Sequence, residues 1–316
     1  VWIGTDYGLC RYEAERDSFL VFTEKQTEGV LKAFSIKTLW EDTDGDIWIG
    51  TWANGLYRYS VHENKFYAYP PIGKRNNPHV IFEDSEHSIW IGTWGDGLYR
   101  LEHPKDLSRV SYVNYSPRKG DSESLQDNII YALAEDPHTH SLWVGMRIGL
   151  SIMPEKGKDK FINYQPKHSS YYIPSDEVNS IRVDLSGTIW IATIGGGVWV
   201  TDTKVNKFQP ERLEQFMSGS RAVSIRSLFT DADGNLWAGT GTWGLACRQK
   251  GTSQFVPSSE LPGFASLSLG HTVMSIIQRR QDKSIWFGTS GGIVVMPYQE
   301  KVYWSEYQYG SMIESL

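Results

Sequence analysis

Seven segments of the chain share one pattern: VWIGTDYGL at 1–9, IWIGTWANGL at 47–56, IWIGTWGDGL at 89–98, LWVGMRIGL at 142–150, IWIATIGGGV at 189–198, LWAGTGTWGL at 236–245 and IWFGTSGGI at 285–293. Their common Trp stands at positions 2, 48, 90, 143, 190, 237 and 286, at intervals of 46, 42, 53, 47, 47 and 49 residues. Recurrence at roughly 40–50 residues is the length of a propeller blade, a unit that cannot cover its own apolar surface and must be buried by its neighbours. Each repeat is therefore expected to be one blade.

Within a repeat, period-2 strands alternate with turn residues. In the second, SIKTLW (35–40) is β-branched and apolar, DTDGD (42–46) is a turn, IWIGT (47–51) is a strand, and WANG (52–55) turns into LYRYS (56–60). After HEN (62–64) comes KFYAY (65–69). The third and fifth repeats follow with VIFED, IWIGT, LYRLE, VSYVNY and with SIRVD, IWIAT, VWVTD, KFQ. No stretch has helical amphipathic periodicity, so the class is all-β with four-stranded blades.

The ends decide between an open solenoid and a closed propeller. The chain starts inside a repeat, at a second strand, and its last residues, MIESL (312–316), match the first strand of NIIYAL (128–133). Pairing the C-terminal strand with the N-terminal strands satisfies the edges that an open array exposes. Residues 1–316 are thus expected to form one seven-bladed β-propeller, with 312–316 completing the first blade, cut from a longer chain.

Composition narrows the partners. A net charge of -6 and a pI near 5.8 disfavour nucleic acid or an anionic membrane as the main partner. No run approaches the roughly 18 apolar residues of a membrane helix, so no membrane insertion is expected. Cys10 and Cys247 fall in third strands of separate blades, too far apart for the roughly 7 Å limit of a disulfide, and are expected to be free thiols.

The seven repeated Trp are read as core, because both faces of a blade pack on neighbours. Gly4, Gly50, Gly92, Gly145, Gly239 and Gly288, with Ala192 as the exception, are read as making room for a large residue of the next blade. The recurring acids, Glu41-Asp42 with Asp44 and Asp46, Glu83-Asp84, Glu135-Asp136, Asp184, and Asp231 with Asp233, are read as turn residues. A calcium loop counted from Asp42 fails, since its sixth position is Ile47 rather than Gly. His138 and His140 share a turn with no third ligand, and neither a metal nor a cofactor is expected.

The turns after the second strands are decorated differently in each repeat, as on a scaffold carrying a site. They contribute Tyr7, Trp52, Asn54, Trp94, Asp96, Arg147 and Trp243, and the loops between blades add Arg75, Asn77, His79, Asp127, Asn128, Tyr172, Arg221 and His271. All should open on one face, opposite the acid turns. Aromatic rings beside Asn, Asp and Arg suit a sugar, whose C–H face stacks on a ring while its hydroxyls hydrogen-bond. Trp40, Trp199 and Trp304 are read as packing within strands. The irregular turns of the fourth repeat (Met146, Arg147, Ile148) and the sixth (Gly241, Thr242) are equally candidates for docking a ligand or another domain.

The pattern D-x-x-G-x-[IL]-W-I-G-T-x-x-G-G-[LV]-x-[RY], followed by a Phe-x-x-Tyr strand as at 66–69 and 161–164, resembles the two-component regulator propeller repeat over the whole chain. The resemblance implies a periplasmic sensor region of a Bacteroides-type hybrid two-component histidine kinase that detects glycan fragments and controls polysaccharide-utilisation genes. It implies a non-enzymatic module whose partners are an oligosaccharide, a second propeller and an immunoglobulin-like domain of the parent chain, with homodimerisation of the parent open. Two alternatives stand beside it: a propeller glycoside hydrolase or lyase, for which Asp6, Asp96, Asp127 and Asp176 are the candidate acids, and a protein-contact scaffold.

Overall fold

The structure is a computed structural model that describes residues 1–32, 35–164, 177–202, 207–211, 223–261, 272–298, 305–308 and 313–316. The fold is a seven-bladed β-propeller of seven four-stranded sheets, and the only helix among the described residues is the single 3-10 turn Ser258–Glu260. Strands fall where the period-2 pattern puts them: Ile47–Thr51 and Leu56–Ser60 as expected, Ile36–Glu41 and Lys65–Ala68 within a residue of it. The strand Ile313–Ser315 completes the sheet formed by Trp2–Thr5, Gly8–Glu13 and Ser18–Phe22, so the two ends of the chain supply one blade.

The chain forms two compact units, Val1–Asn163 with Ser315, and Tyr164–Glu314 with Leu316. In the first, apolar clusters lie between consecutive blades. One joins Leu9, Ile36, Ile47 and Tyr59, the next Trp48, Ile81, Ile91 and Leu101, the third Trp90, Ile130, Val144 and Phe161. The second unit repeats the arrangement with Trp190, Ile225 and Leu236, then Trp237, Val273 and Phe287. Every residue of Ile47–Thr51 and Ile89–Thr93 is buried, because each face of the strand meets a different blade.

The motif glycines set the spacing of the blades. A Cβ at Gly92 would stand 2.5 Å from Ile130 Cγ2 of the next blade and 2.5 Å from Val80 Cγ1, and one at Gly4 would stand 2.6 Å from Ile36 Cγ2. The expectation of room for a neighbour's side chain holds at Gly4, Gly50, Gly92, Gly239 and Gly288.

One of the expectations for Trp needs amendment. Trp2 is half-buried rather than core: it packs beside Phe22 and Tyr59 at 5.3 and 4.9 Å, under the Arg11 guanidinium, at the edge of its cluster. Trp304 lies outside the described residues, whereas Trp199 is buried and Trp40 packs edge-on to Phe82.

The acid turns carry more than turn geometry. Asp42 Oδ1 accepts the backbone N–H groups of Asp44 and Asp46, while its Oδ2 accepts the indole N–H of Trp48 at 2.9 Å. Asp84, Asp184 and Asp231 do the same for Trp90, Trp190 and Trp237, each at 2.8 Å, and serines take over in the fourth and seventh blades, Ser141 for Trp143 and Ser284 for Trp286. A buried indole N–H is thus satisfied at each turn. Cys10 and Cys247 are both buried free thiols.

Candidate ligand-binding face

The end of the second strand is locked by its own sequence. Thr51 Oγ1 donates to the carbonyl of Gly55 at 2.7 Å, as Thr93 does to Gly97, and both glycines take a positive φ that closes the turn. The first turn residue then ties back to the entry of the first strand of its blade: Trp52 N–H to Ser35 O (2.9 Å), Trp94 N–H to Asn77 O (3.0 Å), Arg147 N–H to Ile129 O (3.2 Å). These bonds hold each decorated turn over the start of a first strand.

In the second to seventh blades the start of the first strand carries a bulge. Register shifts fall between Ile36 and Thr38, Pro78 and Val80, and Ile130 and Ala132. A bulge re-aims the extra residue, and those residues in the first unit are Lys37, His79 and Tyr131. Three rings converge there: Trp94 lies 5.2 Å from His79 and 5.4 Å from Tyr131, with His79 and Tyr131 5.8 Å apart. Trp52 joins edge-on to Trp94 at 5.8 Å and remains 42 % exposed. The arrangement differs from a flat platform, since each ring is turned by about 60–70° against its neighbour, so the solvent side of Trp52 is the open stacking surface.

His79 Nδ1 is buried without a hydrogen-bond partner. Burial, reinforced by the Lys37 ammonium, pushes its pKa down to about 4, so the imidazole is neutral near neutral pH. Lys37 itself pairs with Asp6 at 3.2 Å, and Asp6 also accepts the Ser35 hydroxyl at 2.9 Å.

Of the residues singled out in the sequence, Trp52, Trp94 and His79 are brought together. Arg75 and Asp96 adjoin them, the Arg75 backbone N–H donating to Asp96 Oδ2 at 2.7 Å. Asn54 is exposed and turned back on the Trp52 carbonyl, and Asn77 is buried, its Oδ1 accepting the Ala53 N–H. Arg147 is held by Asp127 at 2.9 Å; Asp127 also accepts the N–H groups of Asn128 and Ile129. Tyr7 is 75 % exposed, and Trp243, in the second unit, is 52 % exposed. Tyr172, Arg221, His271 and Asp176 lie outside the described residues. Tyr131 is the member that sequence reasoning missed; its one signal is that it occupies the place in its strand that His79 occupies in the preceding blade.

Among the described residues no group of His, Cys, Asp and Glu is arranged to hold a metal, and no helix is long and apolar enough to cross a membrane.

The fold defines the class, a seven-bladed propeller. Residues 219–242 match the family model of the two component regulator propeller. It is 26 % identical over 298 residues to histidine kinase P4 of Formosa agariphila, a match covering 92 % of this chain and 21 % of that one, so the chain spans about a fifth of this relative's length. The extracellular domain of a Bacteroides thetaiotaomicron protein assigned as a hybrid two component system is 22 % identical over 97 % of this chain and 38 % of that one, with a TM-score of 0.49, below the level at which a shared fold follows. Virginiamycin B lyase of Staphylococcus aureus, 13 % identical over 87 % of this chain and 85 % of its own, aligns with a TM-score of 0.59, a likeness of fold alone.

Proposed function

We propose that the chain is a non-enzymatic, extracytoplasmic ligand-sensing module of a hybrid two-component signalling protein, and that it binds an oligosaccharide on the first unit's face bearing Trp52 and Trp94. In the parent it works beside a second propeller and an immunoglobulin-like domain, with a homodimer as the form in which occupancy reaches a histidine kinase that controls polysaccharide-utilisation genes. The repeat at 219–242 and the similarity to a histidine kinase over 92 % of the chain support the signalling role. The observation that carries the ligand reading is the ring cluster with an open Trp52 face above the unpartnered His79 Nδ1.

Hydrolysis is the less favoured reading because the three candidate acids among the described residues are already engaged: Asp6 with Lys37, Asp96 with the Arg75 backbone, Asp127 with Arg147. A general acid or nucleophile needs a carboxyl free to meet the substrate. Calorimetry against a panel of neutral and acidic oligosaccharides tests the proposal. The expected result is one class of glycan that binds, loses at least ten-fold in affinity in Trp52→Ala, and is recovered uncleaved; cleavage abolished by Asp96→Asn, or no binding by any glycan, overturns it.

A further inference from the structure

Apart from the Trp52 face, the acid turns of the second unit line a cavity of their own. The junctions between consecutive acid turns differ in charge. Between the second and third blades, Lys105 reaches back to Asp42 (2.6 Å), Asp44 (3.4 Å) and Asp46 (2.9 Å). Between the third and fourth, Lys156 reaches Asp84 (3.2 Å), Glu86 (3.7 Å) and Glu135 (3.0 Å), with a side chain only 6 % exposed. In both places a lysine plugs the junction and acids outnumber it.

Between the fifth and sixth blades the corresponding place holds a cavity of about 320 Å³, lined among others by Asp184, Ser186, Trp190, Thr230, Arg248 and Lys250. The sequence explains the difference. DLSGTIW at 184–190 aligns with DTDGDIW at 42–48, so the acids at 44 and 46 are replaced by Ser186 and Thr188. The one acid left, Asp184, is engaged by its own turn: Oδ1 accepts the Ser186 N–H (2.8 Å), the Ser186 hydroxyl (2.6 Å) and the Thr188 N–H (3.0 Å), and Oδ2 the Trp190 indole.

The cations are differently placed. The Arg248 guanidinium lies 4.8 Å over the Trp190 ring, and its Nε donates to the Thr252 carbonyl at 2.9 Å, so its two terminal amino groups are unengaged. Among the described residues neither Arg248 nor Lys250 has a carboxylate partner. Thr230 adds a buried Oγ1 without a hydrogen-bond partner. Two unpaired cations thus face one saturated acid in a cavity with an aromatic wall. A guanidinium with a free edge matches a planar carboxylate or a sulfate in bidentate geometry.

We propose that this cavity binds the oxyanion group of a small ligand, a carboxylate or a sulfate ester, through Arg248 and Lys250. The test uses the full chain at low ionic strength, with glucuronate as the carboxylate probe, glucose 6-sulfate as the sulfate probe and glucose as the neutral one, read by calorimetry. At least one anionic probe should bind and glucose should not, affinity should fall as salt screens the cations, and Arg248→Gln should weaken binding at least ten-fold. Whichever probe binds identifies the source of the oxyanion. Because Arg248→Gln also disturbs the packing on Trp190, the double change Ser186→Asp with Thr188→Asp, which restores the acids of the second blade without removing any contact of Arg248, should abolish binding while the thermal unfolding midpoint of the protein is retained. Binding of glucose as tight as that of the anions, no binding of either anion, or full affinity in the double variant overturns the proposal.

Discussion

The indole N–H of Trp237 donates to Asp231 Oδ2 at 2.8 Å, and the Oδ1 atom of the same carboxylate accepts the backbone N–H groups of Asp233 and Asn235. One buried side chain therefore holds a turn and fixes the core Trp of the next strand. Asp231→Ala leaves a buried indole N–H and two turn amides without their acceptor, and a loss of about 2–4 kcal/mol is expected by summing the usual cost of unsatisfied buried donors. Urea unfolding measures it. A loss below about 0.5 kcal/mol would mean that water replaces the carboxylate.

The division between core and face aromatics has a direct consequence. Trp48 is fully buried between two blades, so Trp48→Ala should cost about 3–5 kcal/mol. Trp52→Ala removes a ring that is largely in water on one side and should cost about 1 kcal/mol or less, with its effect appearing in glycan affinity instead. Equal shifts in unfolding midpoint for the two variants would erase the distinction.

Gly92→Ala tests how the blades are spaced. Its new methyl group would collide with both Ile130 and Val80, so overpacking of about 1–3 kcal/mol is expected. Combining it with Ile130→Ala should recover part of the loss, because the methyl then enters the space vacated across the junction. Strict additivity of the two losses in denaturant unfolding would show that the close approach of the two positions plays no part.

The strands and blade count were legible because a two-residue alternation and turn chemistry are local, and because the Trp spacing repeats. The face was legible in part, since Trp52 and Trp94 stand where the repeat has no use for an aromatic. Tyr131 was not, because a bulge leaves no composition mark: in NIIYAL the Tyr reads as one more strand residue until the register shift turns it toward His79. The bond from Asp42 to Trp48 escaped for a similar reason. A turn residue and a strand residue six apart belong to no single-element period, so only the folded turn brings carboxylate and indole together.

Glu135 makes the acid face a pH-sensitive one. Burial alone would raise its pKa, but the Ser85 hydroxyl and backbone N–H, both at 2.6 Å, together with Lys156 and His140, outweigh that and hold the carboxyl at about 2. An acid whose folded pKa is depressed contributes stability that is complete above its unfolded value near 4.5 and is lost as pH falls through the folded value. Stability should therefore decline between about pH 4.5 and pH 2 as the third and fourth blades lose this link. Glu135→Gln should lower stability at neutral pH and flatten the decline in that window, as read from urea midpoints across the pH series. A variant curve parallel to that of the parent protein would assign the acid sensitivity to other carboxylates.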